Sequence, residues 1–336
     1  MLNNKEIEMR YRKFGNTDLS VSEIGFGAWA IGGDAMIGNT AIGWGPADDA
    51  VSVEAIYAAL DAGITFFDTA DIYGLGHSEE LLGKTLQGRE VVIATKVGNV
   101  SRNNEFTVDY TKNYIIDACE QSLRRLKRST IDYYQLHTAR ETHLMEGACI
   151  DAMQLLQQQG KVRYWGISLN TFAPQAEADF FIENHLGHGF QLAFNIINQK
   201  ALGILKQAAV NGYGVIARMP LQFGLLAGKF NAGTQFGSTD HRRNRLTPQI
   251  IVEAHNALEP VWQLCSKYRI SKAQLAISYV LSYKEVSTVI PGIRTKEHVA
   301  ANTNIPVELE VDDMELIESC ASTTFASLME HIEQQG

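Results

Sequence analysis

Four ionisable side chains stand at or just past the ends of short β-branched runs. Asp68 closes ITFFD, Tyr73 follows in the next turn, Lys96 closes VVIATK, and His137 follows IDYYQL. Neighbouring strands lie about 4.8 Å apart, so three consecutive strand ends span roughly 10 Å, and long side chains from them can meet. Taken singly, such residues have ordinary explanations: a helix cap, a solvated charge, a structural imidazole. Taken together they describe an acid–base centre. A Tyr beside a Lys cation has its pKa depressed, because the cation favours the phenolate. An Asp beside that Lys keeps it charged, and a His beside the Tyr can donate a hydrogen bond or relay a proton. The set can protonate a carbonyl oxygen and can take the proton back from an alcohol.

The elements that must position these groups alternate. Residues 9–14 and 19–24 flank Gly-Asn-Thr-Asp and read as an N-terminal β-hairpin. Strands are expected at 23–28, 64–68, 91–96, 131–136, 162–168, 189–194, 213–218 and 286–290. Helical stretches are expected at 50–61, 78–87, 111–127, 146–159, 173–184, 199–210 and 271–282. This alternation predicts an α/β fold, a closed parallel (β/α)₈ TIM barrel. A doubly wound open sheet is disfavoured. The first strand runs into GFGAWAIGG, which lacks GxGxxG spacing, and no helix follows at once. Connections 32–49 and 219–248, after strands one and seven, are long and belong to the functional face of such a barrel. The second carries Arg242, Arg243 and Arg245 and reads equally as a solvated loop or a mobile flap.

The composition narrows the class. Hydrophobic residues at 45% and charged residues at 20% are the balance of a globular chain rather than a disordered one. A net charge of −9 argues against a phosphate-tracking nucleic-acid binder but permits a local basic pocket for one anion. No apolar run reaches the length of a membrane span, so a cytoplasmic protein is expected. Cys119, Cys149, Cys265 and Cys320 form no CxxC pair and read as reduced thiols, neither a disulfide frame nor a metal site. With no linker or repeat, one domain over residues 1–336 is expected, its core at about 10–322.

The segments FFDTADIYGLGHSEELLGK, VVIATKVG, IDYYQLH, VRYWGIS, PLQFGLLAGKF and IPGIRTKEHVAAN resemble, in order and spacing, the signatures of the aldo-keto reductase superfamily. The first of these, the glycine-rich start and the loop after strand seven are most similar to its bacterial and potassium-channel-β-subunit-like branches. The resemblance implies a (β/α)₈ barrel that binds NADP(H) without a Rossmann fold and reduces carbonyls with an Asp-Tyr-Lys-His tetrad. That tetrad falls on Asp68, Tyr73, Lys96 and His137, with Tyr73 as general acid.

The same resemblance implies a cofactor set. Gly27, Ala28, Trp29 and Asp68 flank the nicotinamide, Ser168 and Gln191 hold its carboxamide, and Arg218 takes the place of the ring that stacks on it. A planar guanidinium can also stack. The stretch from Pro220 and Leu221 through Gly224 to Lys229 matches the segment that wraps the pyrophosphate. Gly292, Arg294, His298 and Asn302 match the adenosine 2′-phosphate site. Two positions depart from the pattern: Leu169 stands where an Asn is usual, with Asn170 one later, and Ala301 replaces a Glu. The substrate wall is expected from Trp29, Trp44, Tyr73 and His137, with a small carbonyl or alcohol as substrate. No nucleic-acid or membrane partner is expected, and the oligomeric state is left open. A metal-dependent hydrolase using Asp68, Asp71 and His137 is a poor alternative, because the sequence has no HxH pair. A redox-sensing subunit that binds cofactor with little turnover is the remaining alternative.

Overall fold

A computed structural model describes residues 8–304 and 307–336. Eight parallel strands form one sheet: β1 Phe26–Gly27, β2 Phe66–Asp68, β3 Val92–Val97, β4 Ile131–His137, β5 Val162–Ser168, β6 Gly189–Ala193, β7 Gly214–Arg218 and β8 Thr288–Ile290. Their spatial order follows the chain from β1 to β8. Parallel bridges Ile24↔Val289 and Gly27↔Gly292 then join the last strand to the first and close the barrel. Most strand residues are buried, which is why these segments read as continuous apolar runs rather than alternating ones.

Helices return the chain between strands, and polar caps set where they start. Asp48 accepts hydrogen bonds from the Ala50 and Val51 N–H groups ahead of the helix Asp49–Asp61. Ser271 and Gln274 form a capping box at Lys272–Ser282. Thr295 caps Lys296–Thr303.

The predicted N-terminal hairpin is present as Tyr11–Lys13 paired with Ser20–Ser22. One further bond, Phe14 N–H to the Leu19 carbonyl at 2.9 Å, leaves residues 15–18 as the turn. The hairpin plugs the end of the barrel where the strands begin, opposite their carboxyl ends. Phe14 is fully buried and packs edge-on to Tyr133 at 4.9 Å, with Phe66, Ile216 and Ile290 in the same cluster. Gly214 makes room for it, since a Cβ there would lie 2.6 Å from the Phe14 ring.

Several boundaries differ from the sequence reading. The first strand is shorter than 23–28, although Ile24 still bridges to the last strand. The region after β7 ends in a 21-residue helix, Pro248–Tyr268, that the loop reading stopped short of. It starts at an N-cap Thr247 followed by Pro, a helix-start signal. Short hairpins, Met36–Ile37 with Thr40–Ala41 and Asn99–Arg102 with Glu105–Val108, occupy connections read as plain loop. No helix of the described residues is long and apolar enough to cross a membrane.

Candidate active site

The carboxyl ends of the strands open into a cleft of about 870 Å³. At its floor Lys96 is completely buried. Its Nζ donates to Asp68 Oδ2 at 2.7 Å, to the Thr69 carbonyl at 2.8 Å and to the Tyr73 hydroxyl at 3.2 Å. A buried ammonium is costly unless paired and hydrogen-bonded, and three acceptors meet that need. Burial alone would lower the Lys96 pKa, but Asp68 and Tyr73 outweigh it and hold the pKa above the ordinary value. Asp68 is tied down from its other oxygen as well: Oδ1 accepts from Gln191 Nε2 at 2.7 Å and from Gln135 Nε2 at 3.3 Å.

The turn after β2 aims Tyr73. Its N–H bonds to the Ala70 carbonyl, and Gly74 follows at φ 61°. A Cβ on Gly74 would lie 2.2 Å from the Gly32 carbonyl oxygen, so only glycine lets this turn pass so close to the segment after β1. That approach stacks Tyr73 on Trp29, with ring centroids 5.9 Å apart and planes at 20°. The expected depression of the Tyr73 pKa is corrected by this burial. Desolvation raises the pKa above the ordinary 10.0, and Lys96 only pulls it part of the way back. His137 ends β4 and meets the Tyr73 ring edge-on at 6.0 Å. Burial, helped by Lys96 and Arg218, holds its pKa well below 6.5, so the imidazole is neutral. Its buried Nδ1 has no hydrogen-bond partner among the described residues.

Of the other expected site residues, Gly27, Trp29, Trp44, Ser168, Gln191 and Arg218 line the cleft. So do Pro220, Leu221, Gly224 and Lys229, and likewise Gly292, Arg294, His298 and Asn302. Ala28 does not. It is fully buried, and its carbonyl accepts the Ser78 hydroxyl at 3.0 Å. Arg218 is held by the Leu169 carbonyl at 3.1 Å and Thr171 Oγ1 at 2.9 Å, while its Nε is buried without a partner among the described residues. The Leu169–Asn170 departure has a local reason. Asn170 Oδ1 accepts the Phe172 and Ala173 N–H groups in a turn, and Leu169 is buried in the core. Thr171 lines the cleft instead.

Sequence reasoning missed Phe223, His241 and Ser271, all on the cleft wall. Ser271 had a signal, the capping box it starts. His241 had none beyond its place in a long connection. The two long connections are stitched together across the mouth: His241 N–H donates to the Gly43 carbonyl at 3.0 Å, and Trp44 bridges to Asp240. Arg242 pairs with Asp240 at 2.7 Å and lies 5.0 Å over the Trp44 ring.

Comparison with known proteins reaches the same fold from another direction. The family model described as Aldo/keto reductase family matches residues 23–322. The chain belongs to the aldo/keto reductase family. The aldo-keto reductase YhdN of Bacillus subtilis (strain 168) is 30% identical over 305 residues, covering 88% of each chain. A probable voltage-gated potassium channel subunit beta of Oryza sativa subsp. japonica is 26% identical over 318 residues, covering 88% of this chain and 90% of its own. The glycerol dehydrogenase of Gluconobacter oxydans superposes with a TM-score of 0.78 at 28% identity, covering 93% of this chain and 95% of its own. As in other aldo/keto reductases the architecture is the (β/α)₈ barrel, and the chain is an oxidoreductase of that family.

Proposed function

We propose that this oxidoreductase reduces aldehydes or ketones to alcohols with NADPH, and that Tyr73 is its general acid. One observation carries the reading: a fully buried ammonium, Lys96, touches the Tyr73 hydroxyl at 3.2 Å while Asp68 balances its charge at 2.7 Å. A structural lysine gains nothing from being desolvated beside a phenol, whereas an acid that must leave as phenolate does.

The cleft fits a dinucleotide by the chemistry of its donors. Lys229, Arg294 and His298 gather at one end and suit phosphate oxygens. Ser168 and Gln191 offer amide-matching groups on the same cleft, and Arg218 Nε, buried without a partner among the described residues, is a further donor there. Bound NADPH would supply the hydride. The protein supplies the rest. Tyr73 gives its proton to the carbonyl oxygen as negative charge builds there. Lys96 stabilises the phenolate left behind, and Asp68 keeps Lys96 protonated. Neutral His137 offers a hydrogen bond without adding charge, which orients the carbonyl oxygen toward Tyr73. Trp29, fixed by its Nε1–H on the Ile42 carbonyl at 2.7 Å, shapes the substrate wall.

The test is NADPH oxidation with an aromatic aldehyde, run on the wild type and Tyr73→Phe. The variant should bind NADPH normally and lose turnover by at least about a hundredfold, the scale of a positioned acid. A kcat within tenfold of wild type at saturating NADPH removes Tyr73 from that role. Cofactor binding with no turnover in the wild type would favour a redox-sensing subunit instead.

A further inference from the structure

The cationic groups of the cleft fall into two sets. Lys229, Arg294 and Arg242 surround His298, and all three push its pKa down beside the effect of burial. Arg245, at the other end of the four-residue helix Arg242–Arg245, meets different neighbours. Its guanidinium lies 5.8 Å from the Phe223 ring, and Phe223 packs edge-on to Trp29 at 6.1 Å and to His241 at 5.8 Å. Trp29 is the ring stacked on Tyr73. Arg245 therefore stands on the aromatic wall that includes the ring stacked on Tyr73.

It also forms no ion pair among the described residues. Asp240 is engaged by Arg242, and no carboxylate of the described residues forms an ion pair with Arg245. Gly336, the last residue, brings its carboxylate near the guanidinium but forms no ion pair with it. Burial lowers the Arg245 pKa with no acidic neighbour to oppose it, and Arg245 in turn disfavours the charge on Arg218. Two guanidiniums thus share a half-buried wall, and Arg245 has no ion pair among the described residues. A half-buried charge without a partner is unfavourable, and an anionic ligand group relieves both the desolvation and the repulsion.

We infer that Arg245 is a specificity residue for substrates whose carbonyl is joined to an anionic group, a carboxylate or a phosphate monoester. This rests on the carbonyl-reductase reading above. The anion seats on Arg245 while the carbonyl faces Tyr73, and Phe223 and Trp29 cover the carbon chain between them.

The experiment compares 4-carboxybenzaldehyde with benzaldehyde, and glyceraldehyde 3-phosphate with glyceraldehyde, at saturating NADPH. The readout is the ratio of kcat/KM for the anionic to the neutral member of each pair. Wild type should favour at least one anion, and the carboxylate and phosphate arms tell which. In Arg245→Gln that ratio should fall roughly ten- to a hundredfold, the worth of one charge-assisted hydrogen bond, and Arg245→Lys should keep part of it. A ratio is insensitive to a uniform loss from misfolding. Ratios within threefold of wild type in Arg245→Gln overturn the inference. So does a ratio that falls only at subsaturating NADPH, since the guanidinium then serves the dinucleotide. If no aldehyde is turned over, the reductase reading fails on its own. Binding still decides the role of Arg245: benzoate should bind at least tenfold tighter than benzamide to the wild type but not to Arg245→Gln, and equal binding refutes it.

Discussion

The Lys96 ammonium lies 3.2 Å from the Tyr73 hydroxyl and 4.7 Å above the centroid of the same ring. The cation thus acts on the phenol through both its oxygen and its π face. Burial raises the Tyr73 pKa, and Lys96 is the largest influence opposing it.

Removing that influence should shift the pH dependence in a known direction. Alcohol oxidation needs the phenolate and rises with pH, whereas reduction needs the phenol and falls at high pH. In Lys96→Met the Tyr73 pKa rises further, so both limbs should move to higher pH and oxidation at neutral pH should fall by at least about tenfold. Asp68→Asn removes a charge that itself raises the Tyr73 pKa, so while Lys96 stays protonated its limbs should move to lower pH. Rate profiles in both directions from pH 6 to about 11 check this. An unmoved profile in Lys96→Met would leave the lysine a structural role only.

Arg294 should carry much of any preference for NADPH over NADH. Its side chain lines the cleft and is steadied by the Trp44 carbonyl at 3.2 Å. A charge-assisted bond to the extra phosphate is worth about 1.5–3 kcal/mol, or roughly ten- to a hundredfold. Arg294→Ala should lose that much affinity for NADPH, keep its affinity for NADH, and show a flatter salt dependence. Fluorescence titration with both cofactors decides it, and equal losses would place the phosphate elsewhere.

Acid should loosen the stitched mouth. Burial, with Arg245 adding to it, pushes the His241 pKa down to about 4 from an ordinary 6.5. The folded loop therefore resists a proton that the opened loop accepts. Its stabilisation is complete above about pH 6.5 and is lost as the pH falls toward 4. Hydrogen exchange across residues 219–247 should speed up between pH 7 and 4.5 beyond the intrinsic pH effect. His241→Asn should lack most of that acid-specific change. Equal acid sensitivity in the variant would assign the opening to another group.

The barrel plug should matter for stability and little for the chemistry. Phe14→Ala empties a fully buried site against Tyr133 and should cost about 3–5 kcal/mol. The midpoint of guanidinium unfolding should drop accordingly, with the KM for aldehyde nearly unchanged, because the plug and the cleft lie at opposite ends of the strands. Gly214→Ala should also destabilise, by overpacking the Phe14 ring.

Much of the fold was legible because the barrel strands are short buried runs whose ends are marked by a change to polar residues. Asp68, Lys96 and His137 each stand at such an end, so their convergence followed from strand order alone. The helix Pro248–Tyr268 was less legible. It adjoins a connection rich in Gly and Arg, yet its Thr-Pro start and the helical spacing of Ile250, Ala254, Leu258, Val261 and Trp262 announce it.

What the amino-acid sequence determined by itself was local: residue types, the strand ends that carry them, the turns that Gly and Asn impose, and the capping of helices. Only the tertiary structure decided quantities that depend on what surrounds a group. Trp29 and Ala28 are neighbours in sequence, yet one lines the cleft and the other is sealed behind it. Tyr73 was expected to be an easier acid beside Lys96, but desolvation by the whole wall outweighs that one cation. Arg245 looked like one of three basic residues in a loop, and only packing sets it beside Phe223 without an ion pair among the described residues while Arg242 takes Asp240. Burial and pairing are sums over neighbours brought together from distant parts of the chain, and no stretch of sequence contains those sums.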